Sequence, residues 1–346
     1  LPMFVLMGIL AEASGITKEI FRAADLWLRK LKGGLYQAVI VGSAVFSAIS
    51  GSTTVNAVVF TRIAFPQMLK FGYSKSLSIG AIAGAGSFAA MIPPSITMVI
   101  YAIMTEQSVG QILIAGVIPG TLTAGVYMFG VSLLVRFNPR LAPPVPESVT
   151  WDERWRALSR VWPIVILIVL VLGGIYSGYF PPSAAGAAGA FGALIFAIIF
   201  RRGIKGWLGK ALHEAAFISC LIFVILIGGL MLSRMLAING VIDHMVGVIT
   251  TFADTPLKFL LLVSIMYIIL GCFLDTTSMM IITLPFIFPI VVELNIDPIW
   301  FGIIVVKMAE ICLVTPPIGL NCFVVNGVRP DIPLNDVFRG IGPFFV

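Results

Sequence analysis

The sequence predicts an all-α polytopic membrane protein of two inverted-topology repeats, each with a re-entrant helical hairpin and a broken transmembrane helix. Three observations carry this expectation. Of the 346 residues, 59% are hydrophobic and 11% are charged, against about 25% charge in an average soluble domain. Apolar runs long enough to cross a bilayer follow one another along the chain. The sequence also matches itself, in order, at a separation of 223 residues. The composition excludes a water-soluble enzyme or nucleic-acid binder, and a mean hydropathy of +1.06 makes lipid the main solvent. The net charge of +6 is distributed by topology, so it implies no nucleic-acid partner.

A crossing helix needs about 20 apolar residues. Long apolar runs fall near 1–14, 76–104, 112–135, 161–180, 184–200, 213–237 and 297–326. The chain begins inside one run and stops at Phe344-Phe345-Val346 as another begins, so it reads as the middle of a longer protein. Two further stretches, 35–69 and 256–292, are broken by Ser50-Gly51-Ser52-Thr53-Thr54 and by Asp275-Thr276-Thr277-Ser278. Each is too long for one span and each half is short, which predicts re-entrant hairpins. With both hairpins returning to the side they enter from, 18 of the 22 Lys and Arg fall on one side. The positive-inside rule makes that side cytoplasmic. Arg62 lies in a hairpin, where its long stem can snorkel to the headgroups. The one polar linker, 137–160, reads as a cytoplasmic loop with an interfacial helix. Cys220, Cys272, Cys312 and Cys322 lack metal-site spacing and read as buried thiols. Neither His213 nor His244 has a ligand set near it.

The internal repeat carries most of the information. At the 223-residue shift Thr53-Thr54 meets Thr276-Thr277, Phe65-Pro66 meets Phe288-Pro289, and Pro93-Pro94 meets Pro316-Pro317. One residue further, Gly116 meets Gly340 and Pro119 meets Pro343. The expected division is a first repeat at 1–120, connecting spans at 121–220 and a second repeat at 221–346. An odd number of crossings separates the two hairpins, so the repeats are inverted. Inverted repeats are a signature of secondary transporters, whose sites lie near the midplane at discontinuous helices.

A helix broken within the membrane leaves carbonyls at one end and N–H groups at the other. Carbonyls with Ser and Thr hydroxyls suit a hard cation such as Na⁺, and N–H ends suit a carboxylate. Pro94 and Pro317 each free an upstream carbonyl. Two pseudo-equivalent cation sites are therefore expected, one from Gly51, Ser52, Gly86, Met91 and Pro94, the other from Thr277, Thr315, Pro316 and Gly319. The bland alternative is that the prolines only kink helices and the hydroxyls only pack them. Intramembrane acids are functional suspects. Asp275, at a hairpin tip, can equally cap a helix. Glu310 lies three residues from Lys307 on one helix face, where the two can simply pair.

Several motifs resemble a known family. They are Ser50-Gly51-Ser52, Lys70-Phe71-Gly72-Tyr73, Ile92-Pro93-Pro94-Ser95 with Tyr101, Ala115-Gly116-Val117-Ile118-Pro119-Gly120, Thr315-Pro316-Pro317-Ile318-Gly319-Leu320-Asn321, and Pro330-Asp331-Ile332-Pro333 leading to Phe338-Arg339-Gly340. With them the chain resembles the large membrane subunit of tripartite ATP-independent periplasmic (TRAP) transporters, the DctM-like group. The resemblance implies an elevator-type importer of the bacterial or archaeal inner membrane, driven by a Na⁺ gradient. It implies two partners, a small four-helix membrane subunit and a periplasmic protein that delivers an organic acid. It places substrate contact at Ser50, Ser52 and Ser95, with Thr53, Asp275, Thr276 and Asn321 completing the expected set. The chain departs from the family pattern at Ala89 and Cys312, where Gly is expected, and at Met308, where Asn is frequent.

A proton-coupled or efflux carrier of a related fold is the alternative, with Asp275 and Glu310 as proton carriers. An intramembrane aspartyl protease would need a pair of Asp residues, and the spans supply one. A serine type would need a positioned base, and both His lie at span ends. No span shows the polar stripe of a pore. No arginine sits at a hairpin tip to grip a second carboxylate, so neither a dicarboxylate nor a sugar acid is favoured.

Overall fold

The structure, a computed structural model of the chain, describes residues 1–145, 149–200, 206–241, 244, 247, 255–316 and 319–344. All its regular elements are helices. α1 (Pro2–Ser14) has proline in its first turn, where the missing N–H removes no helical bond. α2 (Ile16–Leu28) is amphipathic, burying Ile16, Ile20 and Phe21 and exposing Lys18 and Arg22. Hairpin 1 is α3 (Gly34–Ser50) and α4 (Thr53–Lys70). The first broken helix is α5 (Lys75–Gly86), a 3₁₀ turn at Ser87–Ala90 and α6 (Ile96–Met104).

α7 (Val109–Phe137) follows, 29 residues long. The polar linker carries α8 (Trp151–Ser159), opened by a capping box of Thr150 and Glu153. The Thr150 backbone N–H holds the Glu153 carboxyl below its usual range. Trp151 and Trp155 pack edge-on against Trp27 of α2, as suits an interfacial helix. α9 (Trp162–Tyr176) is bent 43° from α8. α10 (Pro182–Phe200) and the 32-residue α11 (Trp207–Ile238) complete the middle of the chain.

Hairpin 2 is α12 (Pro256–Gly271) and α13 (Thr276–Glu293). The second broken helix is α14 (Pro298–Cys312) and α15 (Leu320–Val328), and α16 (Leu334–Ile341) follows. Both hairpins thus lie within a residue of their expected bounds. By length and composition α7, α10, α11 and α13 could each cross a membrane, and so could the bent pair α8–α9. α13 is nonetheless a hairpin arm, because the turn at 272–275 brings it back along α12. Pro317, Ile318, Phe345 and Val346, used in the sequence reading, lie outside the described residues, as do Pro146 of the linker and the basic Arg201, Arg202 and Lys205.

The repeat is visible in the element bounds. Shifted by 223 residues, α4 lands on α13 with both ends matching, and α5 and α6 land on α14 and α15 within a residue at their N-termini. Packing obeys the same correspondence by exchange. α15 packs on α4 and α5, and α6 packs on α13 and α14. One buried core therefore joins hairpin 1 and α5 to the second half of the other broken helix. The second core joins hairpin 2 and α14 to α6. Each repeat completes the other, so neither has a closed core alone.

Lipid is the natural solvent for what remains outside. Ile118, Leu122 and Phe129 of α7, Val224 and Met231 of α11, and Leu261 and Ile265 of α12 are all exposed. Helices apolar on every side are stable in this way only in a membrane or a large core.

Candidate functional site

Tip 1 is a change of backbone direction made by two residues. Gly51 takes a left-handed φ of 58° and its N–H donates to the Ser47 carbonyl at 3.2 Å, ending α3. Ser52 is extended, and its hydroxyl accepts from the Val55 N–H at 3.4 Å, starting α4. The arms are tied by Asn56, whose Nδ2 donates to Ser47 Oγ at 2.7 Å and to the Ser43 carbonyl at 3.2 Å. A Cβ on Gly51 would lie 3.0 Å from the Pro94 carbonyl oxygen, so the tip rests on the first break.

At that break the Pro93–Pro94 peptide is cis. The Ser95 hydroxyl donates to the Ala90 carbonyl at 2.6 Å and accepts from the Met98 N–H at 3.3 Å. Ala90 carries the carbonyl that Pro94 frees, four residues upstream. Ser95 Oγ takes up one of its lone pairs. Gly86 faces Ala57 of α4, where a Cβ would come within 2.9 Å.

Tip 2 is built by a carboxylate. Asp275 accepts from the N–H groups of Thr277 at 2.9 Å and Ser278 at 3.2 Å, so it caps α13. The Cys272 thiol donates to the Pro316 carbonyl at 3.4 Å, and Gly271 packs on Cys312. At the second break Asn321 N–H returns to the Leu313 carbonyl at 3.0 Å. Gly319 is left-handed at φ 50° against the Thr315 carbonyl. Asn321 Nδ2 reaches across to the Ala83 carbonyl of α5 at 3.2 Å.

One link joins the two breaks. Ser87 Oγ donates to Glu310 Oε1 at 3.0 Å, and the two residues are 223 apart. Pseudo-equivalent residues touch only where the pseudo-two-fold axis passes, so this bond marks the axis. Lys307 Nζ donates to Glu310 Oε2 at 3.1 Å and to Thr123 Oγ1 of α7 at 2.9 Å. The Lys307–Glu310 pairing read from sequence is present. The symmetry link was also readable there, since Ser87 and Glu310 stand at the repeat separation.

Both tips open on one cavity of about 660 Å³. Gly51, Ser52, Thr53, Asp275, Thr276 and Thr277 line it, with Ile96 and Thr97 from the first break and Leu313 and Leu320 from the second. Ser50, Gly86, Met91, Pro94, Ser95, Gly319 and Asn321 are buried and do not line it. Thr315 is half-buried and Pro316 exposed, also off the cavity wall. Among the described residues of these regions, three buried oxygens lack a hydrogen-bond partner: Ser50 Oγ, Thr276 Oγ1 and Asn321 Oδ1. They are hard donors of the kind Na⁺ takes, one from each tip and one from the second break.

Three wall residues were missed in the sequence. Arg62 lies on the wall, and so do Glu12 at the end of α1 and Glu214 near the start of α11. Arg62 therefore borders the cavity that holds the tips. Its spacing from Val55 and Val58, other wall residues, is the helical signal that could have found it.

Comparison with known proteins places this geometry. Residues 1–346 match the family model described as the DctM component of the tripartite ATP-independent periplasmic transporter. The C4-dicarboxylate TRAP transporter large permease protein DctM of Pseudomonas aeruginosa is 33% identical over 349 residues, covering 100% of this chain and 80% of that protein. The sialic acid TRAP transporter large permease protein SiaM of Vibrio cholerae is 27% identical, with 100% and 80% covered. The crystal structure of the Alcanivorax borkumensis YdaH transporter shares the fold, with a TM-score of 0.53 at 15% identity over 99% of this chain and 81% of that one. The chain belongs to the DctM component family of tripartite ATP-independent periplasmic transporters, multi-pass secondary transporters of the inner membrane rather than enzymes.

Proposed function

We propose that the chain is the large membrane subunit of a Na⁺-coupled, binding-protein-dependent importer of an organic acid. The observation that carries this reading is the convergence of both hairpin tips and both helix breaks on one cavity. Hard oxygen donors cluster there, and a hard cation bound among them would offset a carboxylate held in the same cavity. The printed names of the relatives point the same way, to a C4-dicarboxylate in one case and sialic acid in another.

Two Na⁺ sites are proposed. Gly51 and Ser52 with Gly86, Met91 and Pro94 form the first, and Thr277 with Thr315, Pro316 and Gly319 the second. Ser50, Ser52, Thr53, Ser95, Asp275, Thr276 and Asn321 form the proposed substrate shell. Those on the cavity wall touch solute, and the buried Ser50, Ser95 and Asn321 hold the shell in shape. The exchange of half-helices between the two cores supports one rigid transport body, made from parts of 1–120 and 221–346. α1, α10 and α11 pack together beside it and would serve as scaffold, in an elevator motion. The remaining partners are a small four-helix membrane subunit and a periplasmic binding protein.

Asp275 is committed to a cap and Glu310 to Lys307 and Ser87, which disfavours them as proton carriers. The test is uptake in proteoliposomes by the full-length transporter with its small subunit and binding protein, over a panel of organic acids. Uptake that needs both an inward Na⁺ gradient and the binding protein supports the reading. Uptake that follows a pH gradient and ignores Na⁺ overturns it.

A further inference from the structure

The cavity has an end that the tips and breaks do not explain. Beyond Thr53 and Thr54 at the tip, the α4 wall residues are Val55, Val58 and Arg62, which share one helix face. Arg62 stands about 14 Å along the axis from the tip, and helical side chains lean back toward the N-terminus, here toward the tip. It is the one basic residue among the described wall residues. No hydrogen bond or ion pair engages its guanidinium among the described residues. Glu12 and Glu214 border the same cavity from α1 and α11, and both lie close enough to Arg62 or to each other to interact electrostatically.

The tips offer an anion less. Asp275 already places a carboxylate on the N-terminus of α13, and the Ser52 hydroxyl caps α4. An open guanidinium binds a carboxylate through two parallel N–H bonds. A second anionic group on the solute would meet the like charge of the two glutamates beside the guanidinium.

Resting on the organic-acid reading above, we propose that Arg62 grips the solute's carboxylate and that Glu12 and Glu214 set its class. That class is a monocarboxylate whose remainder is neutral and polar, or cationic. A dicarboxylate would carry its second charge into the two glutamates.

Three probes of one chain length separate the cases: 4-aminobutyrate, 4-hydroxybutyrate and succinate. Binding to the purified full-length transporter in Na⁺ is read as a rise in thermal-unfolding midpoint. The first two should raise it and succinate should not. Arg62→Gln should abolish the rise, and Arg62→Lys should keep part of it. Glu12→Gln with Glu214→Gln should extend it to succinate. A rise with succinate alone in the wild type, or a rise that survives Arg62→Gln, overturns the proposal. If all three are too small to bind, Na⁺-driven uptake decides: a transported dicarboxylate overturns it. A monocarboxylate losing about ten-fold or more in Arg62→Gln upholds it. Absence of Na⁺-driven uptake counts against the importer reading, while probe-selective binding lost in Arg62→Gln would still uphold the anchor.

Discussion

The two hairpin tips hold equivalent places in the repeats and are fixed by different chemistry. Tip 1 is closed by backbone: a left-handed Gly51 lies against the Pro94 carbonyl, and a neutral Ser52 caps α4. Tip 2 is closed by side chains: Asp275 caps α13 with a charge, and Gly271 abuts Cys312. Their surroundings differ in the same sense. α3 is buried along most of its length, whereas α12 presents Leu257, Leu261, Ile265 and Ile269 outward. Local sequence thus reproduces the backbone twice, and the packing outside it decides how tightly each copy is held. A tip set by backbone tolerates no change at its contact, and a tip set by side chains can be repaired.

The largest effect should come from the axis, where the repeats meet through unlike mates. Glu310→Ala strips Lys307 of its acidic partner and should cost about 3 kcal/mol or more, as breaking a buried pair does. Ser87→Ala should cost about 1–2 kcal/mol. Unfolding of the purified transporter measures both, and the double mutant should cost less than the sum. Additive costs would show that the two breaks are not linked there.

Next comes the glycine pair. Gly51→Ala forces a side chain into a left-handed conformation beside a carbonyl and should cost about 1–3 kcal/mol, with loss of uptake. Gly271→Ala collides with the Cys312 side chain and should also fail. Adding Cys312→Gly should restore uptake in the second case, and no side-chain change near Pro94 should restore the first. Equal behaviour of the two would erase the contrast.

The smallest effect lies in the caps. Asp275→Ala should destabilise by about 1–2 kcal/mol and Ser52→Ala by somewhat less, because a charged cap also interacts with the helix dipole. Asp275→Asn should keep the fold, since Asn also caps well. Normal uptake in that variant would limit Asp275 to capping, and lost uptake at normal abundance would show that its charge acts on the transported species.

Much of this was legible beforehand because it is local or periodic. The polar breaks at Ser50–Thr54 and Asp275–Ser278 marked both hairpins, and the repeat separation predicted that α4 and α13 would match. What was not legible depends on helices distant in sequence. Arg62, Glu12 and Glu214 share a cavity only because α1 packs on α11 and on α3, the other arm of hairpin 1, and a hydropathy run does not say which face turns inward. The exchange of α6 and α15 between cores was hidden for the same reason. Ser95 and Asn321 looked like ligands by position. Ser95 also caps α6 and Asn321 also reaches across to α5, contacts that position in the sequence does not show.

The central claim is that the two tips are two halves of one cation-coupled site. The direct test is the dependence of initial uptake rate on Na⁺ concentration, for wild type, Ser52→Ala and Thr277→Ala at matched abundance. Sigmoidal activation in the wild type, made shallower and shifted to higher Na⁺ by either substitution, is the predicted result. A wild-type rate independent of Na⁺, or mutant curves that superimpose on it, would contradict the account.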